Sequence, residues 1–216
     1  MNCRTRPTLR LLTVALFLLA NGIAFSAIVS IDPRATYLKI EDDPAQTPFA
    51  FALSALGVSP GDLIRVDRLG FYKAASFIPD TGSSLLAVFS GSATLLSGTN
   101  LNRVQDAIDA GNDFVSSDTL NNNLSTDITQ DFAVDDGSTF SFVQLQVPIG
   151  ATHIFFTVND SYFTDNSDPN GDFGANISVV PEPSIAALSF VGILLGLWRT
   201  YPAKRLTALR FLRLLL

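Results

Sequence analysis

Between positions 159 and 172 the chain reads Asn159-Asp160-Ser161-Tyr162-Phe163-Thr164-Asp165-Asn166-Ser167-Asp168-Pro169-Asn170-Gly171-Asp172, a run crowded with short oxygen-bearing side chains. A hard cation such as calcium takes about six to eight oxygens from carboxylates, amide carbonyls, hydroxyls and main chain. Asp160, Thr164, Asp165, Asn166 and Asp168 fall within nine residues, and Asn170 follows two positions later. Gly171 permits a tight reversal at the end of the run. The competing reading is an Asp/Asn-rich β-turn without an ion, because these residues are also the ordinary turn formers.

Other chemistry-bearing groups are sparse. Asp80-Thr81-Gly82-Ser83 matches the D-T-G-S string of pepsin-like aspartic proteases. Those enzymes need two carboxylates sharing a proton, hence a second motif or a homodimer. Asp136-Gly137-Ser138 lacks the intervening hydroxyl residue, and Pro79 interrupts the strand that should deliver Asp80, so a hairpin turn is the expectation. His153, the one histidine, opens the apolar run Ile154-Phe155-Phe156, and no G-x-S-x-G elbow accompanies it. A histidine-rich metal site is excluded. A glycosidase built on two Asp residues is left open, because carboxylate separation is a tertiary quantity. The expectation is a protein that is not an enzyme.

Charge is partitioned along the chain. Of 14 Lys and Arg, Arg4, Arg6 and Arg10 lie near the N-terminus, and Arg199, Lys204, Arg205, Arg210 and Arg213 lie near the C-terminus. The span 27–180 holds six basic and nineteen acidic residues, a net charge of −13, and eighteen of the nineteen are Asp. Such a domain repels nucleic-acid backbones, so no nucleic-acid partner is expected. Asp in place of Glu suits turns and calcium loops, although it also simply solubilises a β-surface.

The span 27–180 contains little that reads as an amphipathic helix. Short runs rich in β-branched and aromatic residues recur between turn residues, placing strands at 36–41, 49–56, 62–72, 84–90, 139–148, 153–158 and 172–180. In the run from Thr139 to Val147, Ser141, Val143, Leu145 and Val147 share one face, and Phe140, Phe142, Gln144 and Gln146 the other. From 91 to 137 the chain turns polar, which reads as a long inserted loop with one helical turn around 104–110. The expected fold is all-β, an antiparallel β-sandwich of jelly-roll type.

Three blocks in this order resemble the small calcium-dependent galactophilic lectins of Gram-negative bacteria. Pro60-Gly61-Asp62-Leu63-Ile64 followed by Gly70-Phe71-Tyr72 looks like their Pro-Gly-Asp strand ending in a Gly-aromatic turn. Ser84-Leu85-Leu86-Ala87-Val88 looks like the next core strand. Pro148-Ile149-Gly150-Ala151, Val158-Asn159-Asp160 and Gly171-Asp172-Phe173 look like the final hairpin. Together they cover about half of 27–180. The resemblance implies calcium as cofactor and a glycan as ligand. It matches Asp160 and Thr164 to the first side-chain ligand and the Thr four residues later. Asp165, Asn166, Asp168 and Asn170 compete for the next places, because this loop is one residue longer. A main-chain carbonyl just after Tyr72 would complete the shell, and Tyr72, Asp160 and Thr164 become the implied sugar contacts. The segment between the Gly-aromatic turn and the next core strand shrinks here to 73–83, so galactose selectivity does not transfer.

The two ends read as export and sorting devices. Arg4, Arg6 and Arg10 precede the ten-residue apolar run 11–20, and Ala24-Phe25-Ser26 supplies small residues for cleavage before Ala27. A run of ten is short against the roughly 20 residues needed to span a bilayer. Cys3, the one cysteine, leaves with this leader and is not placed as a lipobox cysteine, so the mature domain has no thiol and no disulfide. A domain of this kind must rely on its core, a bound ion, or both. At the other end Val179-Val180-Pro181-Glu182-Pro183-Ser184 leads into the apolar stretch 185–198, ending at Trp198, and then into the basic tail 199–216. The prolines keep the motif extended, and the basic cluster holds the far end on the cytoplasmic side.

This order resembles the PEP-CTERM sorting signal, which implies an exosortase-type membrane protease acting at Val180-Pro181-Glu182-Pro183. The tail 206–216 is longer and more apolar than usual for that signal, and a plain single-span anchor is the alternative. The expected product is an inner-membrane-anchored precursor delivered to the surface or the extracellular polysaccharide matrix.

Overall fold

The computed structural model describes residues 26–38, 44–100, 102–111, 120–121, 124–125 and 128–181. Eleven strands lie among them: β1 (Ser26–Ser30), β2 (Phe51–Ala52), β3 (Leu63–Leu69), β4 (Leu85–Ser90), β5 (Ala107–Ile108), β6 (Leu120–Asn121), β7 (Leu124–Ser125), β8 (Phe132–Asp135), β9 (Phe142–Gln146), β10 (His153–Thr157) and β11 (Gly174–Val179). One antiparallel sheet runs β1-β11-β3-β9. The other runs β2-β10-β4, and the far edge of β4 is shared by β8, opposite Leu85–Ala87, and β5, opposite Phe89 and Ser90. A small β6–β7 pair stands apart.

Both sheets feed one apolar core, which makes the domain all-β and sandwich-like. The first sheet behaves as alternation dictates. In β3, Ile64 and Val66 are fully buried while Arg65 and Asp67 form an ion pair on the outer face. In β9, Leu145 points in while Phe142, Gln144 and Gln146 point out. Strand β4, Leu-Leu-Ala-Val-Phe-Ser, is buried at every position, as an unbroken apolar run should be when both faces are covered. A further cover comes from the strap around Ala35–Leu38. The Thr157 hydroxyl donates to the Ala35 carbonyl (3.1 Å), the Arg103 guanidinium to the Thr36 and Leu38 carbonyls (3.0 and 3.1 Å), and the Tyr37 hydroxyl to Asp131 (3.2 Å).

Several expectations change here. Residues 36–38 form no strand; Ala35 makes a single bridge to Gln46, and Arg103 satisfies carbonyls that a strand partner would have taken. Positions 39–41 lie outside the described residues. The run 49–56 is a two-residue strand followed by a 3-10 turn, Leu53–Leu56, closed by Gly57 at φ 70°. No helical turn forms at 104–110, because Val104 bridges Leu95 and Ala107–Ile108 pairs with β4. The segment 91–137 is more than a loop, since β8 is a buried core strand. Its acidic neighbours disguise it: Asp135 is 3% exposed, accepting from the Gly137 N–H (2.7 Å) and Arg68 Nε (2.5 Å).

Contacts divide the chain into two units, Ala24–Val180 and the combination of Met1–Ile23 with Pro181–Leu216. Only Pro181 of the second unit is described, so the leader, Glu182, Pro183, the apolar stretch 185–198 and the basic tail lie outside the described residues. Among the described residues no helix is long and apolar enough to cross a membrane. Val180 closes the first unit, its N–H donating to the Leu63 carbonyl at 2.8 Å.

Candidate cation site in the 159–172 loop

The loop between β10 and β11 is organised by its own carboxylates. Asp160 follows β10 by three positions, and its Oδ1 accepts the N–H groups of Ser161 (2.7 Å) and Tyr162 (3.3 Å). Asp168 does the same at the other end, Oδ1 accepting from Gly171 (2.9 Å) and Oδ2 from Phe173 (3.1 Å). These are Asx turns, short side chains replacing absent ladder bonds. A two-way main-chain bridge between Lys73 and Ser167 (2.8 and 3.0 Å) pins the loop to the segment after Tyr72.

Two side-chain oxygens of the loop are left over. Asp160 Oδ2 and Asn166 Oδ1 are both buried and have no hydrogen-bond partner among the described residues. Asn166 is 2% exposed, its Nδ2 donating to the Pro33 carbonyl at 3.0 Å, so the amide is anchored from across the strap. Burial pushes the Asp160 carboxyl above its usual range. The N–H groups of Tyr162 and Ser161 and the Asn166 amide oppose that rise, and the charge of Asp165 adds to it. A buried carboxylate oxygen and a buried amide oxygen without donors are costly unless something positive meets them.

The other sequence-predicted residues divide. Thr164 is half-buried and Asp165 exposed, in the turn that the Asn166 N–H closes onto the Phe163 carbonyl at 3.2 Å. Asp168 spends both oxygens on main-chain donors. Asn170 is exposed and donates to Asp80 Oδ2 at 2.6 Å, while Asp80 Oδ1 is buried without a partner among the described residues. Sequence reasoning did not join Asp80 to this loop, and no local signal could, because the two lie 90 positions apart. Tyr72 is buried, its hydroxyl bonded to Ser84 Oγ (3.0 Å) and its ring against Phe173 (5.0 Å between centroids). Burial pushes its phenol up to about 12; the Ser84 bond opposes this, while the charges of Asp160 and Asp135 add to it. The main-chain carbonyl of Tyr72 accepts the Gly82 N–H, and that of Lys73 accepts Ser167.

Oxygen-only donors of this kind fit a hard cation. Asp160 and Asn166 would hold it, with Thr164, Asp165 and water completing the shell; Asp168 and Asn170 fit less well. Among the described residues no group of three or more His, Cys, Asp or Glu side chains is arranged to hold a metal. The protease-like string has a packing explanation: a Cβ on Gly82 would meet the Tyr72 carbonyl and ring at 2.8 and 2.9 Å. His153 is half-buried and shares a 2.8 Å hydrogen bond with the Thr152 hydroxyl.

Compared with family models, with curated proteins and with solved structures, the chain matches none.

Proposed function

We propose that this is an exported surface or exopolysaccharide-matrix protein whose domain, jelly-roll-like in its connections, binds a carbohydrate with the help of calcium at the 159–172 loop. The observation that carries the reading is the pair of buried, donor-less oxygens, Asp160 Oδ2 and Asn166 Oδ1. A bound cation would neutralise the first, coordinate the second, and present open positions to the hydroxyls of a sugar. The leader and the Val180-Pro181-Glu182-Pro183 motif support export and release or anchoring by an exosortase-type protease.

The test is a calcium titration of thermal stability on the purified full-length protein, in a detergent without a sugar headgroup. A ligand bound only by the folded state at a hundredfold its dissociation constant adds about 2.7 kcal/mol. For a domain of this size that corresponds to a rise of roughly 5–10 °C. No saturable rise at millimolar calcium would count against the calcium role. A second reading, a matrix or surface spacer without a ligand, is favoured by Asp168 and Asn170 being engaged with protein partners.

A further inference from the structure

Near the end of β3, Arg68 carries a largely buried cation to the rim of the sandwich. Its Nε donates to Asp135 Oδ2 at 2.5 Å, with the two side chains 12% and 4% exposed. Its Nη1 donates to the Gly70 carbonyl, and the Phe71 ring covers the guanidinium, 4.5 Å from Cζ to the ring centroid. Nη2 has no acceptor among the described residues. Facing it is the loop 136–141, held in one shape by a single carboxylate. Asp136 accepts the N–H groups of Ser138 (2.9 Å), Thr139 (2.7 Å) and Phe140 (3.3 Å) together with the Ser138 and Thr139 hydroxyls.

Between these walls lies a cleft of about 260 Å³. Phe71 and Phe140 stand at its rim, 44% and 40% exposed, and Ser83, Ser138 and Ser141 line it. The same trio of Arg, Asp and Phe recurs one turn of the pleat away on the outer face: Arg65 pairs with Asp67 at 2.6 Å, and Phe142 lies 3.6 Å from its guanidinium.

We propose that this cleft binds a neutral glycan without any cation. A pyranose ring has an apolar C–H face and a rim of hydroxyls. Exposed aromatic rings suit the first, and an unused guanidinium N–H with serine hydroxyls suits the second. Asp135 cancels the charge of Arg68, and the domain carries a net charge of −13 over 27–180. Both features select against an acidic polysaccharide. No residue of the 159–172 loop lines the cleft, so the site goes beyond the calcium reading and stands or falls separately.

The experiment is saturation-transfer NMR and calorimetry on the full-length protein, in excess EDTA and a detergent without a sugar headgroup. The probes are cellohexaose, laminarihexaose and mannohexaose, with an oligogalacturonate as the acidic control. At least one neutral probe should bind with a dissociation constant of about 1 mM or tighter, and Phe140→Ala should weaken it roughly tenfold. Because Phe140 is exposed, that variant should melt as the parent does. The proposal is overturned if no neutral probe binds in EDTA, if Phe140→Ala binds equally well, or if the oligogalacturonate binds more tightly. Loss of all binding in EDTA with recovery in calcium would remove this cleft while leaving the loop reading intact.

Discussion

At the scale of single residues, the 159–172 loop shows how one side-chain type takes different roles by environment. Asp168 is consumed by two main-chain donors, while Asp160 keeps one buried oxygen without any. Burial raises the Asp160 carboxyl, so the folded state holds that proton more tightly than the unfolded chain does. Stability from this group is therefore fully present at low pH and is withdrawn as pH rises past the ordinary value of 3.8. In EDTA, Asp160→Asn should raise the melting temperature at neutral pH and flatten the decline that sets in as pH rises past 3.8. The same variant should lose the calcium-induced rise. Melts across that rise in pH, with and without calcium, check both; a variant less stable than the parent in EDTA would sink the account.

At the scale of elements, the edge strand β1 is tied to β11 in continuous register from Ser26 opposite Ser178 to Ser30 opposite Gly174. At Gly174 an added Cβ would run into the Val29 carbonyl. Gly174→Ala should therefore force the pair apart and cost about 1–3 kcal/mol, a melting shift of roughly 2–10 °C. Denaturant titration would measure it, with amide exchange of residues 26–30 accelerating first. Strands β3, β4, β9, β10 and β11 were legible in the sequence within about three residues, because unbroken or alternating apolar runs leave few choices. Strand β1 was not, since the cleavage expectation divided it between leader and domain. Strand β8 was not, because the three apolar residues Phe132, Ala133 and Val134 between Asp131 and Asp135 read as part of a polar stretch until those carboxylates find partners.

At the scale of the whole molecule, a domain of net charge −13 repels itself. Raising NaCl from about 20 to 200 mM shortens the screening length from roughly 20 to 7 Å. The melting temperature in EDTA should then climb gradually by a few degrees without saturating, whereas the calcium effect should saturate at far lower concentration. Differential scanning calorimetry separates the two; a flat salt response would show that the acidic groups are already compensated by local donors, as Asp136 and Asp168 are.

The amino-acid sequence by itself determined the all-β character, the acidic and cysteine-free domain between positions 27 and 180, the turns, and the loop where oxygen donors gather. Those follow from local chemistry: pleat periodicity, glycine and proline geometry, and the Asx turns that short carboxylates make. Only the tertiary structure decided which of those oxygens remain free. It also brought Arg68 to Asp135 across 67 positions and Asn170 to Asp80 across 90. Such pairings depend on sheet register and on which neighbours reach each carboxylate first, and neither quantity is written in any short stretch of chain.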